Sequence, residues 1–265
     1  MSTFVMSDLH GCYHEFLCML TTISFSSSDQ LILAGDYIDR GKQSYEMLKW
    51  IACAPRNVIF LRGNHEKEFI TYVNLMCFLD KDKKLETNIY SNEDTMVLYD
   101  TVKYFFTQNG IPTICFDMYD TLYSLLNNNM VTLDDLCRWA DRIRQMPYYQ
   151  ELMIEDKTYI IVHAGYAEEL SSVSTRFSNL EEFYLYAREE SYQFGGKPNS
   201  IIIAGHTPTI AKETFAYNKG NVFRYHNEKT NCTFYDIDCG CVFRSKEPDA
   251  KLACLRLGDE KVFYV

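Results

Sequence analysis

Five short apolar runs, Phe4–Met6, Leu31–Ala34, Val58–Leu61, Tyr159–Val162 and Ile201–Ala204, each give way abruptly to a polar, glycine-containing segment. Each run is too short for a helix and carries no alternating polar residue, the pattern of a strand buried on both faces. The segments that follow are Ser7-Asp8-Leu9-His10-Gly11, Gly35-Asp36-Tyr37-Ile38-Asp39-Arg40-Gly41, Arg62-Gly63-Asn64-His65-Glu66, His163-Ala164-Gly165 and Gly205-His206-Thr207-Pro208. Four of the six histidines sit in them. In α/β folds, ligands bind in the crevice beyond the carboxyl ends of strands, so five such ends predict one convergent site. Asp8, Asp36 and Asn64 also recur at an interval of 28 residues, the length of a βαβ unit.

Between these strands, Tyr13–Ile23, Ser44–Ala54 and Glu66–Leu79 place apolar residues at three- and four-residue spacing and read as helices. Thr132 to Asp135 caps a further helix whose apolar stripe is Leu133, Leu136, Ala140 and Ile143, and Ser178 to Glu181 reads as a capping box opening a helix through Arg188. The span Glu66–Pro147 is expected to be a mainly helical insertion, and its charged stretch Asp80–Asp94 a solvated loop or a lid. After Thr209 the pattern turns to β at Val222–Tyr225, Cys232–Ile237 and the pair Leu252–Leu257 and Lys261–Val265 around Gly258-Asp259. The chain is read as one domain over residues 1–265 with the insertion at about 66–147. Its class is α/β.

Twenty-six Lys and Arg against 36 Asp and Glu give a formal charge of −10, which disfavours nucleic-acid or anionic-membrane partners. No apolar run approaches the roughly 18 residues needed to cross a bilayer. The ten cysteines are scattered with no CxxC pair, and reduced core thiols in a cytoplasmic protein are expected. An acidic chain that handles phosphate therefore needs a local positive centre.

Asp8, His10, Asp36, Asn64, His163 and His206 supply three oxygen donors and three imidazoles, a ligand set for two divalent ions with one carboxylate shared. Mn²⁺, Fe, Zn²⁺ and Mg²⁺ all accept parts of this set. Arg40, Arg62 and Arg188 are the nearby candidates for phosphate, since the guanidinium fork matches two oxygens. Arg62 is read as structural. Glu66 is read as a cap or ion-pair partner in the first helical turn, Cys239 as a buried thiol, and His14 and His226 as lying outside the site.

The ordered motifs Asp8-x-His10-Gly11, Gly35-Asp36-x-x-Asp39-Arg40-Gly41, Gly63-Asn64-His65-Glu66, His163-Ala164-Gly165 and Gly205-His206 resemble those of the metallo-dependent phosphoprotein phosphatases within the calcineurin-like metallophosphoesterases. The compact bacterial and bacteriophage serine/threonine phosphatases are the nearest resemblance, which runs from residue 7 to about 209, with Ile237-Asp238-Cys239-Gly240 also similar. It implies a β-sandwich with helices on both sides (α/β/β/α). It further implies Asp8 and His10 on one metal, Asp36 bridging, and Asn64, His163 and His206 on the other. By the same resemblance, His65 is the general acid oriented by Asp39, and Arg40 and Arg188 hold the phosphoryl group. The resemblance also implies direct attack on phosphorus by a metal-bridging hydroxide, and, from purified bacterial members, Mn²⁺.

Departures are visible: Ser7 stands where glycine usually precedes the first aspartate, Ala164 replaces the second glycine of the eukaryotic His-Gly-Gly form, and Tyr186 replaces the tryptophan that flanks the second arginine. The expected activity is hydrolysis of phosphoserine and phosphothreonine in phosphoproteins or phosphopeptides. The alternative is hydrolysis of a nucleoside polyphosphate such as diadenosine tetraphosphate by the same dinuclear site. Symmetrical hydrolases of that kind tend to lack the Asp39 and Glu66 found here, which favours the protein phosphatase. A catalytically dead binding module is disfavoured because every ligand type, His65 and Arg40 are present.

Overall fold

Two five-stranded sheets lie face to face in the computed structural model, which describes residues 1–83, 91–108, 117–172, 176–193 and 196–265. In the first sheet, β1 (Thr3–Met6), β2 (Gln30–Leu33) and β3 (Val58–Phe60) run parallel, and the hairpin β9 (Ala253–Arg256) and β10 (Val262–Tyr264) joins β1 antiparallel. The second has the order β4 (Tyr149–Ile154), β5 (Lys157–Val162), β6 (Ser200–Ala204), β8 (Cys232–Asp236), β7 (Phe223–Asn227), with β5, β6 and β8 parallel.

The strand period of two assigns every side chain to a layer. Val5, Ile32 and Ala34 meet Tyr159, Ile161 and Ile203 between the sheets. Their neighbours Phe4, Met6, Leu31 and Leu33 face the other way, into a core shared with α1 (Tyr13–Thr22) and α2 (Ser44–Cys53). On the far side Ile160, Val162 and Ile202 pack against Phe183 and Tyr184 of α7 (Leu180–Tyr186). Burial on both faces is why these strands read as unbroken apolar runs.

Between β3 and β4 the chain forms α3 (Asn64–Lys83), α4 (Asn92–Gln108), α5 (Asp117–Asn129) and α6 (Leu133–Arg144), whose Phe69, Tyr72, Leu122 and Leu136 join the same core as Phe4. α3 begins two residues earlier than the periodicity suggested, which puts Asn64 and His65 in its first turn. The expected cap of α6 is a capping box: Thr132 accepts from the Asp135 backbone and Asp135 from that of Thr132. Acidic residues in its first turn and Arg142 and Arg144 in its last complement the helix dipole. Residues 84–90 of the charged stretch Asp80–Asp94, and Cys115, lie outside the described residues.

Two elements differ from expectation. The cap near residue 180 is Asn179, not Ser178; its side chain accepts from the Glu182 backbone, and the Ser178 N–H donates to the Glu182 carboxylate. The helix ends at Tyr186 because Ala187 is extended, so Arg188 sits in the bend before α8 (Glu189–Gln193). β4 was not anticipated. It pairs with β5 through a two-residue turn in which Glu155 and Asp156 both have positive φ, a conformation usually marked by Asn-Gly. Among the described residues no helix is long and apolar enough to cross a membrane.

Candidate metal centre

The loops that follow β1 and β2 are tied together before any side chain is considered. Asp8, His10 and Gly11 donate backbone hydrogen bonds to the carbonyls of Gly35, Asp36 and Tyr37 at 3.1, 2.8 and 2.8 Å. Along them Asp8, His10, Asp36, Asp39 and Arg40 adopt φ between 40° and 72°, as does His206 after β6. A run of non-glycine residues in the left-handed region costs on the order of 1 kcal/mol each, and such strain gathers where function fixes the backbone. Close approach does the rest. A Cβ on Gly63 would collide with the Asp36 carboxylate, and one on Gly205 with that of Asp8.

The six expected ligands converge. Asp36 lies at the centre, its Oδ2 at 3.6 Å from His10 Nε2, 3.8 Å from His65 Nε2 and 3.4 Å from His163 Nε2. Two donor groups share it, His10–Asp36–His65 and Asp36–His163–His206, each with its ligand atoms within 4.8 Å of one another. Asn64 Oδ1 is 2.9 Å from His163 Nε2, which is 3.2 Å from His206 Nδ1. Asp8 Oδ1 is 4.0 Å from His10 Nε2, and its Oδ2 accepts the His206 N–H at 3.0 Å.

Imidazole orientation is settled by the backbone. The Nδ1 atoms of His10 and His163 lie 2.9 Å from the carbonyls of Ile38 and Ala34, so each carries its proton there and turns the Nε2 lone pair inward. His65 likewise holds its Nδ1 at 2.6 Å from Asp39 Oδ2. The Arg40 guanidinium donates to His10 Nε2 at 2.7 Å and His65 Nε2 at 3.1 Å, and its Nε reaches Asp117 of α5 at 3.3 Å. A cation thus already sits against this group of inward lone pairs. Oxygen and imidazole donors of this kind suit two divalent ions.

Charge follows the same geometry. Burial pushes the Asp36 carboxyl upward, but the surrounding imidazoles, His163 first and then His65, outweigh it and hold the group below the usual carboxylate range. Burial raises Asp8, which has less compensation. His10 and His206 are held well below the ordinary imidazole value, first by burial and then by Arg40 and His163 respectively, which keeps them neutral for coordination.

Arg188 donates to the Thr207 hydroxyl at 3.3 Å, next to His206, so one arginine serves each donor group. Arg62 stays structural: it donates to the Tyr148 hydroxyl at 2.9 Å and to the carbonyls of Met146, at 3.1 Å, and Arg144. Three residues matter more than the sequence suggested. Glu66 is fully buried and accepts the N–H groups of Asp36, Tyr37 and Gly63 at 2.7, 2.9 and 3.0 Å, so it shapes the Asp36 loop as well as its own helical turn. Asp238 is buried, accepts the Gly240 N–H at 2.9 Å and is held in its neutral direction by burial and by the Asp8 charge, and Asp117 tethers Arg40. Glu66 and Asp238 stood inside quoted motifs, but Asp117 carried no local signal.

The calcineurin-like phosphoesterase family model matches residues 1–210. The chain belongs to this family. A curated relative, the symmetrical bis(5'-nucleosyl)-tetraphosphatase of Wigglesworthia glossinidia brevipalpis, is 36% identical over 104 residues, covering 37% of this chain and 36% of that protein. The matched stretch therefore spans about a third of that relative. Two solved structures share the fold: a provisionally named diadenosine tetraphosphatase (TM-score 0.52, 16% identity, 100% of this chain and 92% of that one) and a Saccharomyces cerevisiae serine/threonine phosphatase similar to human PP5 (TM-score 0.51, 13% identity, 100% and 79%). At such identity they establish the fold alone.

The serine/threonine phosphatase expectation is overturned by the tetraphosphatase relative. It rested on Asp39 and Glu66 as marks of protein phosphatases. Their contacts show why they do not discriminate: Asp39 orients His65, and Glu66 holds the Asp36 loop. Both tasks belong to the metal centre, whatever the phosphate is attached to.

Proposed function

We propose that the chain is a metal-dependent hydrolase of nucleoside polyphosphates of the diadenosine tetraphosphate class, releasing two nucleoside diphosphates. The observation that carries this reading is the 36%-identical match to a symmetrical tetraphosphatase. The geometry supports it: donor groups that share Asp36 have an arginine at each end, Arg40 beside His10 and Arg188 beside Thr207 and His206, which suits an extended polyanion better than a single phosphoryl group. The whole of residues 1–265 is read as one such domain, with the helical insertion at about 66–147 along one flank.

Asp8, His10 and Asp36 would hold one divalent ion, and Asp36, Asn64, His163 and His206 the other. When bound, such a pair supplies an activated water and neutralises charge on the phosphoryl oxygens. Arg40 and Arg188 orient the phosphate chain through their guanidinium forks. His65, with Nδ1 fixed by Asp39, presents Nε2 to carry a proton to the departing oxygen. Mn²⁺ is the ion to try first, with Zn²⁺, Fe and Mg²⁺ as comparisons.

The test is to strip the purified chain with EDTA, reload it with each ion, and separate the products of diadenosine tetraphosphate. ADP alone, formed only with metal, is the expected result. Release of ATP and AMP, or no turnover with any ion, would overturn the reading.

A further inference from the structure

A cavity of about 350 Å³ opens beside Arg40, between the start of α2 and one side of α5. That is the scale of a small-ligand site. We propose that this cavity receives the nucleoside at one end of the polyphosphate, an inference that rests on the function proposed above. Asp117, Asp120, Thr121, Ser124 and Asn128 recur at three- and four-residue intervals and line it, while Met118, Leu122 and Leu126 of the same helix are buried in the core. The polar face of α5 is thus turned toward Ser44 and Tyr45 of α2, across the cavity from it.

Charge decides which part of the substrate enters. Arg40 stands at the metal side beside His10 and His65, Lys42 lines the cavity with it, and Asp117 and Asp120 line it from α5. Among the described residues the α5 wall offers no cation, and Asp120 stands outside the Arg40–Asp117 pair, so the polyanion stays over the metal centre and Arg40 while an uncharged group continues inward. A nucleoside has what this lining takes: hydroxyls and an exocyclic amino group to donate to carboxylates, and an aromatic face. Tyr45 is the aromatic partner, half-buried, held edge-on by Trp139 at a ring separation of 6.2 Å and with Lys49 Nζ over its ring at 5.2 Å, so the base stacks on the face turned away from Lys49. Base stacking on such a ring is worth about 1–3 kcal/mol. Ser124 and Asn128, joined at 3.3 Å, add a hydroxyl and an amide on the facing wall.

The test compares ADP with pyrophosphate by calorimetry on the full, Mn²⁺-loaded chain, because the two share the metal-facing phosphates and differ by the nucleoside. The wild type is expected to bind ADP at least tenfold more tightly. Tyr45→Ala and the double variant Ser124→Ala/Asn128→Ala should each cut that preference by fivefold or more, with pyrophosphate binding within twofold of wild type. No preference in the wild type, or a preference untouched in both variants, would overturn the proposal. Turnover of diadenosine tetraphosphate by the wild type judges the proposed function separately. If turnover occurs and the preference ignores the cavity, only the nucleoside placement fails.

Discussion

Replacing Gly205 by alanine tests the packing of the ligand loops with a single methyl group. The backbone there does not lie in the left-handed region, so alanine adopts it without conformational strain and all of the cost comes from contact. The added Cβ would overlap Asp8 Oδ2 and Ser7 Oγ and lie 2.9 Å from Ser7 Cβ. Asp8 then has to move by roughly 1 Å, and its bond from the His206 N–H, now 3.0 Å, is lost. Overpacking costs typically 1–3 kcal/mol. An unsatisfied buried donor costs a similar amount. The entropy that alanine removes from the unfolded chain returns about 0.4–1 kcal/mol. The expected net loss is about 1–5.5 kcal/mol, which at its upper end is a large part of the 5–15 kcal/mol of a typical domain. Urea unfolding in EDTA reads this term without metal, and Mn²⁺ titration reads the displaced Asp8. Turnover should fall about 100-fold or more, the usual consequence of a 1 Å misplacement. Gly258→Ala is the control, because its φ of +92° is strained but its nearest neighbour is 3.7 Å away. If Gly205→Ala unfolds within 0.5 kcal/mol of wild type and binds metal equally well, the close approach of these loops is not what positions Asp8.

Three other outcomes follow from the same geometry. Asp36→Asn should leave the chain unable to retain either ion after dialysis, read by elemental analysis; two ions retained per chain would refute the shared-ligand assignment. His65→Asn should slow hydrolysis of esters with poor alkoxide leaving groups by roughly 100-fold or more, against a smaller loss on diadenosine tetraphosphate, whose departing phosphate needs less protonation; equal losses on both would argue against proton transfer by His65. Thr132→Ala removes the capping box of α6 and should cost about 1 kcal/mol in urea unfolding while metal binding is retained; no change in the midpoint would mean that Asp135 caps the helix unaided.

The clustering of the candidate donors was legible because each follows a strand whose own signal is local. Asp8, Asp36 and Asn64 come directly after short buried runs, so the 3.3 Å rise of a strand brings them to one edge once the runs are seen as parallel neighbours. β4 was less legible. Its residues alternate between exposed and half-buried at the sheet edge, and its turn uses Glu155-Asp156 rather than the usual glycine pair. Arg188 was read as the end of a helix, yet it lies in the bend where Ala187 turns extended, and that bend lets it reach Thr207. Asp117 could not be found at all, since its partner Arg40 is 77 residues away and neither flank carries a motif.

The substrate was hidden for a different reason. Every residue used to choose between phosphoprotein and nucleotide, Asp39 and Glu66 above all, turned out to touch the metal loops. A centre that activates water and neutralises a phosphoryl group presents the same contacts to both substrates, so its motifs report the reaction and stay silent on what the phosphate carries. Discrimination has to come from groups that meet the rest of the substrate. In this chain the proposed groups lie where α5 of the helical insertion sets its polar face against α2 beside Arg40. Helical periodicity records that such a face exists, but only the packing of α5 against α2 shows what it faces.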